Sequence, residues 1–240
     1  MECWILSVCR VCNDEDMTDY DQLLAASRLE SDAYLGNIEF WKRAWKAVKE
    51  PCAQLPDLPY LSSIPARLAG CGAKNVLDLG CGGGWLSIYL ARHNFSVTGV
   101  DVAEKALEFA RQWSDREGLS VNFDLGDVTH LPYLPGSFDA VLANSMFDHL
   151  TKELAYTLVV RLKEILCPGG TLFACFDKVG GGPGEYCTLP DGTHGYADNT
   201  RRGMLLRYYS DTELMDLFSC WTIIECSTLE SGSRILWARS

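Results

Sequence analysis

The sequence predicts a doubly wound α/β domain built on a mostly parallel sheet, with a helical cap at its N-terminal end. Three observations carry this. From residue 74 onward, short apolar runs alternate with segments of helical period, the pattern of parallel strands joined by crossover helices. The run Asn75-Val-Leu-Asp-Leu79 passes into glycines at 80, 82, 83 and 84 and then into an apolar helix. The chain ends in two strand-like runs, Thr222–Leu229 and Arg234–Arg239, joined by Glu-Ser-Gly-Ser. So short a connection makes a hairpin, and the last strand is expected to run antiparallel.

The elements follow in order. Residues 17–70 read as the helical cap: Asn37 is a candidate N-cap, and Ile38, Trp41, Trp45 and Val48 fall on one helical face. Prolines at 51, 56, 59 and 65 then break the chain into a linker. After the strand at 75–79 come a helix over Trp85–His93, a strand over Ser96–Asp101, and a helix at 103–117 with Leu107, Ala110 and Trp113 inward. Further strands are expected at 120–124, 138–144 and 170–177, with a helix at 151–166 whose Leu154, Leu158, Leu162 and Ile165 recur at helical period. Ser210-Asp-Thr-Glu213 is a capping box opening a short helix.

The bulk properties set limits. The 240 residues suffice for one domain with a sizeable core, and the 48% hydrophobic and 22% charged balance is that of a soluble globular protein. No apolar run reaches the length of a membrane span. A net charge of −11 disfavours a nucleic-acid partner. Arg201, Arg202 and Arg207 form a late basic cluster, read as a solvated hairpin face. Residues 1–16 lack the basic start of a signal peptide and read as a loosely attached extension before Met17. Eleven scattered cysteines, an odd number, point to reduced thiols and a cytoplasmic protein. Cys9-x-x-Cys12 has metal-ligand spacing, but no second pair follows, so no metal is expected.

The chemistry concentrates in Val76-Leu-Asp-Leu-Gly-Cys-Gly-Gly-Gly84. Glycines in such a turn let a ligand touch the backbone, at the strand ends where α/β sheets bind ligands. A dinucleotide fingerprint would carry a third glycine where Trp85 stands, so a cofactor without a pyrophosphate is the alternative. Asp101 ends the second strand 21 residues after Gly80. It is placed to accept from ribose hydroxyls, or else to cap the following helix. Asp127, in Gly126-Asp-Val128, can accept from the exocyclic amine of adenine, or serve as a turn aspartate.

Together with Phe138-Asp-Ala-Val141 and Leu166-Cys-Pro-Gly-Gly170, these motifs make residues 74–177 resemble the class I S-adenosylmethionine-dependent methyltransferases, on the Rossmann-like fold. The segment 210–239 fits that family's final strands more loosely. The resemblance implies a seven-stranded sheet with an antiparallel last strand. It divides the chain into an extension and cap at 1–70 and a cofactor-binding domain at 71–240 with a lid-like insert at 178–209. It implies that Asp78, Gly80, Gly82, Asp101, Val102, Asp127, Val128 and Asn144 bind the cofactor, with the backbone at Gly80 and Gly82 meeting the methionine part, Asp101 the ribose, Asp127 and the Val128 amide the adenine, and Asn144 beside the sulfonium. Cys81 is read as a small packing residue.

The implied chemistry is in-line displacement of the methyl group by an acceptor, for which positioning suffices unless the acceptor must lose a proton. His149 is the candidate base, and equally a helix-leading residue. The glycines at 180, 181, 182 and 184 suggest a mobile loop over the site. Tyr20, Trp41, Trp45 and Tyr208 are candidates to enclose the acceptor, with core packing as the alternative for each. The acidic surface and short insertions favour a small-molecule acceptor. Two other readings stand beside this one: a non-catalytic subunit on the same fold, and a nicotinamide-dependent oxidoreductase, against which Trp85 and the lack of a Tyr-x-x-x-Lys spacing count. The acceptor atom and the oligomeric state are not legible.

Overall fold

In the computed structural model, residues 19–50, 53–178, 180 and 184–240 are described, the first three of them by backbone alone. Helix α1 (Asp19–Ala47) leads through a short 3₁₀ turn (Leu61–Ser63) into α2 (Ile64–Gly70). The alternating part follows: β1 (Asn75–Leu79), α3 (Trp85–Arg92), β2 (Ser96–Asp101), α4 (Glu104–Glu117), β3 (Asn122–Leu125), β4 (Phe138–Asn144), α5 (Lys152–Ile165) and β5 (Leu166–Phe176). The insert contributes β6 (Tyr186–Thr188), β7 (His194–Tyr196) and β8 (Leu205–Leu206), and the chain closes with α6 (Asp211–Leu217), β9 (Thr222–Thr228) and β10 (Arg234–Arg239).

The main sheet has seven strands in the order β3-β2-β1-β4-β5-β10-β9. The first five pair in parallel, and β10 runs antiparallel to both β5 and β9. The final hairpin therefore inserts its second strand against β5. Strand order reverses between β1 and β4, which opens a crevice at their carboxyl ends. Both faces of β1 and β4 are covered, which is why their central residues Val76, Leu77, Ala140, Val141 and Leu142 are all buried.

Four local expectations need correction. Asn37 caps nothing: α1 runs unbroken past Gly36 and Asn37, because tertiary contacts on this face override the local signal. Strand β3 starts at Asn122, and β5 starts at Leu166, taking the Pro-Gly-Gly turn into its first residues. Arg207 is not solvated. It is 3% exposed, with Nη2 donating to Glu213 Oε1 at 2.6 Å and Nη1 to the Asp191 carbonyl at 2.5 Å, as a buried cation requires. Arg201 lies over the Tyr196 ring, 4.5 Å from its centroid, and pairs with Asp198. The Ser210–Glu213 capping box forms as expected.

Among the described residues, no helix is long and apolar enough to cross a membrane. The segment 1–16, with its Cys9-x-x-Cys12 pair, lies outside them.

Candidate active site

The turn between β1 and α3 shows why it is glycine-rich. Gly80 and Gly82 adopt φ of +63° and +52°, a region that L-residues enter at a cost. A Cβ on Gly80 would lie 2.9 Å from Met146 Cγ, and one on Gly82 would lie 2.9 Å from Trp45 Cζ2. Gly84 serves packing, since its Cβ would meet Ala110 Cβ on α4 at 2.7 Å. Cys81 is buried beneath the turn, with Sγ 2.9 Å from where a Cβ on Gly99 would stand.

Asp101 braces this turn. Its Oδ2 accepts from the Gly82 N–H and its Oδ1 from the Ala103 N–H, both at 2.9 Å. The N-cap of α4 is Ala103 and not Asp101, yet the Asp101 side chain steadies both the glycine loop and the start of that helix. Each oxygen retains acceptor capacity for a further donor. Burial raises its pKa against the opposing effect of these backbone N–H groups.

A cavity of about 770 Å³ opens above the turn. Its wall takes Gly80, Gly82, Gly83, Asp101, Val102 and Val128 from the sheet side. Across from them stand Tyr34, Ile38, Trp41, Trp45 and Val48 of α1 and the residue after it, with Glu50, Gln54, Leu55 and Pro56 of the following linker. The helical face read from sequence is thus a cavity wall. Ser145, Met146, His149 and Leu150 close the floor beyond β4. Ser145 takes φ +49° although it is not glycine, a strain of the kind found where a chain turns into a site.

The expected residues are distributed unequally. Gly80, Gly82, Asp101, Val102, Val128, Trp41, Trp45 and His149 all line the cavity. Asp127 lies next to Val128, with Oδ1 accepting from Tyr34 Oη at 2.6 Å and from the Thr129 N–H at 2.9 Å. Asp78 is not on the wall. It is buried under the glycine turn, where Oδ2 accepts from Ser87 Oγ at 2.6 Å, and burial pushes its pKa up to about 7. Asn144 is turned away too: its Oδ1 accepts from Tyr60 Oη at 2.5 Å, and the next residue, Ser145, takes the wall position. Tyr208 is also off the wall, packed edge-on to His194 at 5.6 Å between ring centroids. No described residue of 178–209 lines the cavity, so this part of the insert stands behind His149 and does not cover the site. The covering elements are α1 and the linker after it. The Tyr20 side chain lies outside the described residues.

His149 is held from three sides. Its Nδ1 lies 2.8 Å from the Leu205 carbonyl, its own carbonyl accepts from Asn37 Nδ2 at 2.9 Å, and its ring meets Trp41 edge-on at 4.8 Å. A carbonyl only accepts, so Nδ1 carries the proton. Burial lowers the pKa of the ring. The neutral imidazole therefore keeps its lone pair on Nε2. Tyr34, Asn37, Glu50, Gln54, Leu55 and Pro56 were parts of this wall that sequence reading missed. Tyr34 and Asn37 stand at i−4 and i−1 from Ile38, and the helical repeat of that face was the signal available for Tyr34.

The site suits a nucleoside bearing an amino-acid tail. The two glycines let Met146 and Trp45 close on the turn while its backbone stays on the cavity wall, a carboxylate with spare acceptor capacity stands at the end of β2, and the bulky Trp85 shares that wall where a dinucleotide fingerprint would carry a third glycine.

Comparison with known proteins agrees. Residues 76–170 match the family pattern described as a methyltransferase domain. The ubiquinone biosynthesis O-methyltransferase of Xanthomonas campestris pv. campestris is 37% identical over 165 residues, covering 64% of this chain and 67% of that protein. Among solved structures, the PH0226 protein from Pyrococcus horikoshii OT3 superposes with a TM-score of 0.65 at 19% identity, over 82% of this chain and 98% of its own. The 1,6-didemethyltoxoflavin-N1-methyltransferase of Burkholderia thailandensis, solved with its acceptor and S-adenosylhomocysteine, gives 0.57 at 22% identity, over 95% of this chain and 92% of its own. Both structures share the fold. With the glycine cradle, the terminal carboxylate of β2 and a curated relative at this identity, the chain belongs to the class I S-adenosylmethionine-dependent methyltransferases and is an enzyme of that family.

Proposed function

We propose that the enzyme methylates a hydroxyl group of a small, planar, largely apolar molecule, with His149 as the general base. The observation that carries this is the hydrogen-bonded His149 on the wall of a cavity otherwise dominated by tryptophan and aliphatic side chains. Such a lining favours a flat apolar ligand, and a few polar groups within it fix orientation. The O-methyltransferase name of the curated relative supports oxygen as the acceptor atom.

In this reading Gly80 and Gly82 seat the methionine part of the cofactor, Asp101 and Val102 the ribose, and Asp127 and Val128 the adenine. Asp78 acts from beneath by holding the glycine turn through Ser87, and Asn144 acts through Tyr60. Trp41 and Trp45 enclose the acceptor and exclude water. S-adenosylmethionine supplies a methyl group on a sulfonium sulfur that leaves as a neutral thioether. His149 Nε2 takes the proton of the acceptor hydroxyl as the oxygen becomes nucleophilic. The indole faces of Trp41 and Trp45 also favour a cationic centre in the same cavity.

The test is an acceptor screen with methyl-labelled S-adenosylmethionine, using phenols, catechols, amines and thiols of similar size, with products read by mass spectrometry. Methyl ethers formed from phenols or catechols, and depleted in His149→Ala, are the expected products. Transfer confined to amines or thiols would overturn the oxygen assignment. S-adenosylhomocysteine titrated alongside NADH checks the cofactor pocket independently of the acceptor.

A further inference from the structure

Asn37 is 3% exposed and lies in the middle of α1, where a side-chain amide gains nothing from the helix itself. Its Nδ2 donates to the His149 carbonyl at 2.9 Å, and its Oδ1 accepts from the Leu205 N–H at 2.9 Å. The Leu205 carbonyl in turn accepts from His149 Nδ1 at 2.8 Å. The three residues close a ring of hydrogen bonds joining α1, the turn after β4, and β8. Strand β8 is an edge strand of the small sheet, and both backbone groups of Leu205 are engaged in this ring.

The junction around the ring is close. Gly203 takes φ +93°, and a Cβ there would stand 2.9 Å from the Gly36 carbonyl oxygen. Arg43 Nη2 donates to the Arg202 carbonyl at 2.7 Å. The insert and α1 therefore dock on each other beside His149.

We infer that Asn37 is a positioning residue: it seats the Leu205 carbonyl under His149 Nδ1 and so fixes the imidazole tautomer that leaves Nε2 facing the cavity. This rests on the reading of His149 as the base. It gives the insert a role that covering the site would not. The base is assembled only when the N-terminal helix and the insert are docked, so the helix that walls the cavity also completes its chemistry. An imidazole released from the ring is free to exchange its proton between the two nitrogens and to turn about its own axis. Either change removes the lone pair from the acceptor.

Nitrogen NMR of the full-length protein labelled at histidine tests this, with the His149 signal assigned by its loss in His149→Gln. In the wild type, the proton is expected on Nδ1. Asn37→Ala is expected to give a mixed tautomer and a kcat lower by roughly ten- to hundredfold. The KM for the acceptor and the affinity for S-adenosylhomocysteine should stay within about twofold. Asn37→Asp keeps the acceptor for Leu205 but loses the donor to His149, and is expected to fall between. A wild-type His149 with its proton on Nε2 overturns the proposal without any variant. A loss of S-adenosylhomocysteine affinity in parallel with kcat also overturns it, because the role would then be structural only. The base reading fails separately, if His149→Ala turns over as fast as wild type while the Nδ1 proton is where the ring places it.

Discussion

Tyr34 Oη donates to Asp127 Oδ1 at 2.6 Å, across 93 positions of sequence, and ties the helix that walls the cavity to the turn that follows β3. The same oxygen accepts from the Thr129 N–H, so Oδ2 is the oxygen left to meet a further donor. Tyr34 thus orients the carboxylate assigned to adenine without taking its place.

Tyr34→Phe is therefore expected to weaken S-adenosylhomocysteine binding by about 1 kcal/mol, roughly fivefold. Calorimetry reads this directly. An unchanged affinity would show that Asp127 needs no brace, or that it does not meet the ligand.

Gly82→Ala meets two obstacles, a left-handed backbone and the edge of Trp45. The backbone conformation alone costs about 1–2 kcal/mol. The expected result is a folded protein with at least tenfold weaker S-adenosylhomocysteine binding and altered tryptophan fluorescence. Gly83→Ala is the control. Its Cβ would stand 3.2 Å from Trp45 Cη2, without the positive φ, so its effect should be smaller. Equal losses in the two variants would assign the effect to Trp45 alone.

His149→Ala is expected to lower kcat on a phenolic acceptor by about a hundredfold or more near pH 7. The deficit should shrink as pH approaches the pKa of the acceptor hydroxyl, where solvent has already removed the proton. Because burial holds the His149 pKa below its ordinary value, the wild-type rate should not fall until the pH drops below the usual histidine range. A pH–rate profile of both proteins decides it. A deficit that stays constant through the acceptor pKa counts against proton transfer.

Asp78 gives a pH signature in stability. Burial raises its folded pKa from 3.8 to about 7. Between those values the folded protein holds a proton that the unfolded chain has released. Stability from this group is therefore full below about pH 4 and is lost as pH rises to about 7, with a slope of about 1.4 kcal/mol for each step of one in pH. Asp78→Asn removes that dependence while its amide oxygen still accepts from Ser87. Urea denaturation at pH 5 and pH 8 should show a smaller loss in the variant. Parallel losses would mean that Asp78 titrates normally.

The parts of the site legible in the sequence are those that one strand and the turn after it build between them. Gly80, Gly82 and Asp101 were readable as a linked unit because glycine conformation and a carboxylate at a strand end are marked locally, and the hydrogen bond from the Gly82 N–H to Asp101 spans only 19 positions. The mostly parallel sheet and the antiparallel final hairpin were readable for the same reason, from alternation and a short connection, whereas the order of the strands was not. Tyr208, Asn144 and Asp78, singled out in the sequence, do not line the cavity. Which face of a strand end meets a cavity depends on what packs against it, here Tyr60 and Ser87.

What the sequence determined by itself is the glycine-rich turn after β1 and the layered α/β frame, because periodicity, glycine conformation and chain order are local properties that survive without knowledge of the rest. The far wall of the cavity and the setting of His149 were decided by tertiary structure alone. Asn37 reaches His149 and Leu205 across 112 and 168 positions, and an amide in the middle of a helix carries no local mark of the two backbone groups that folding brings to it.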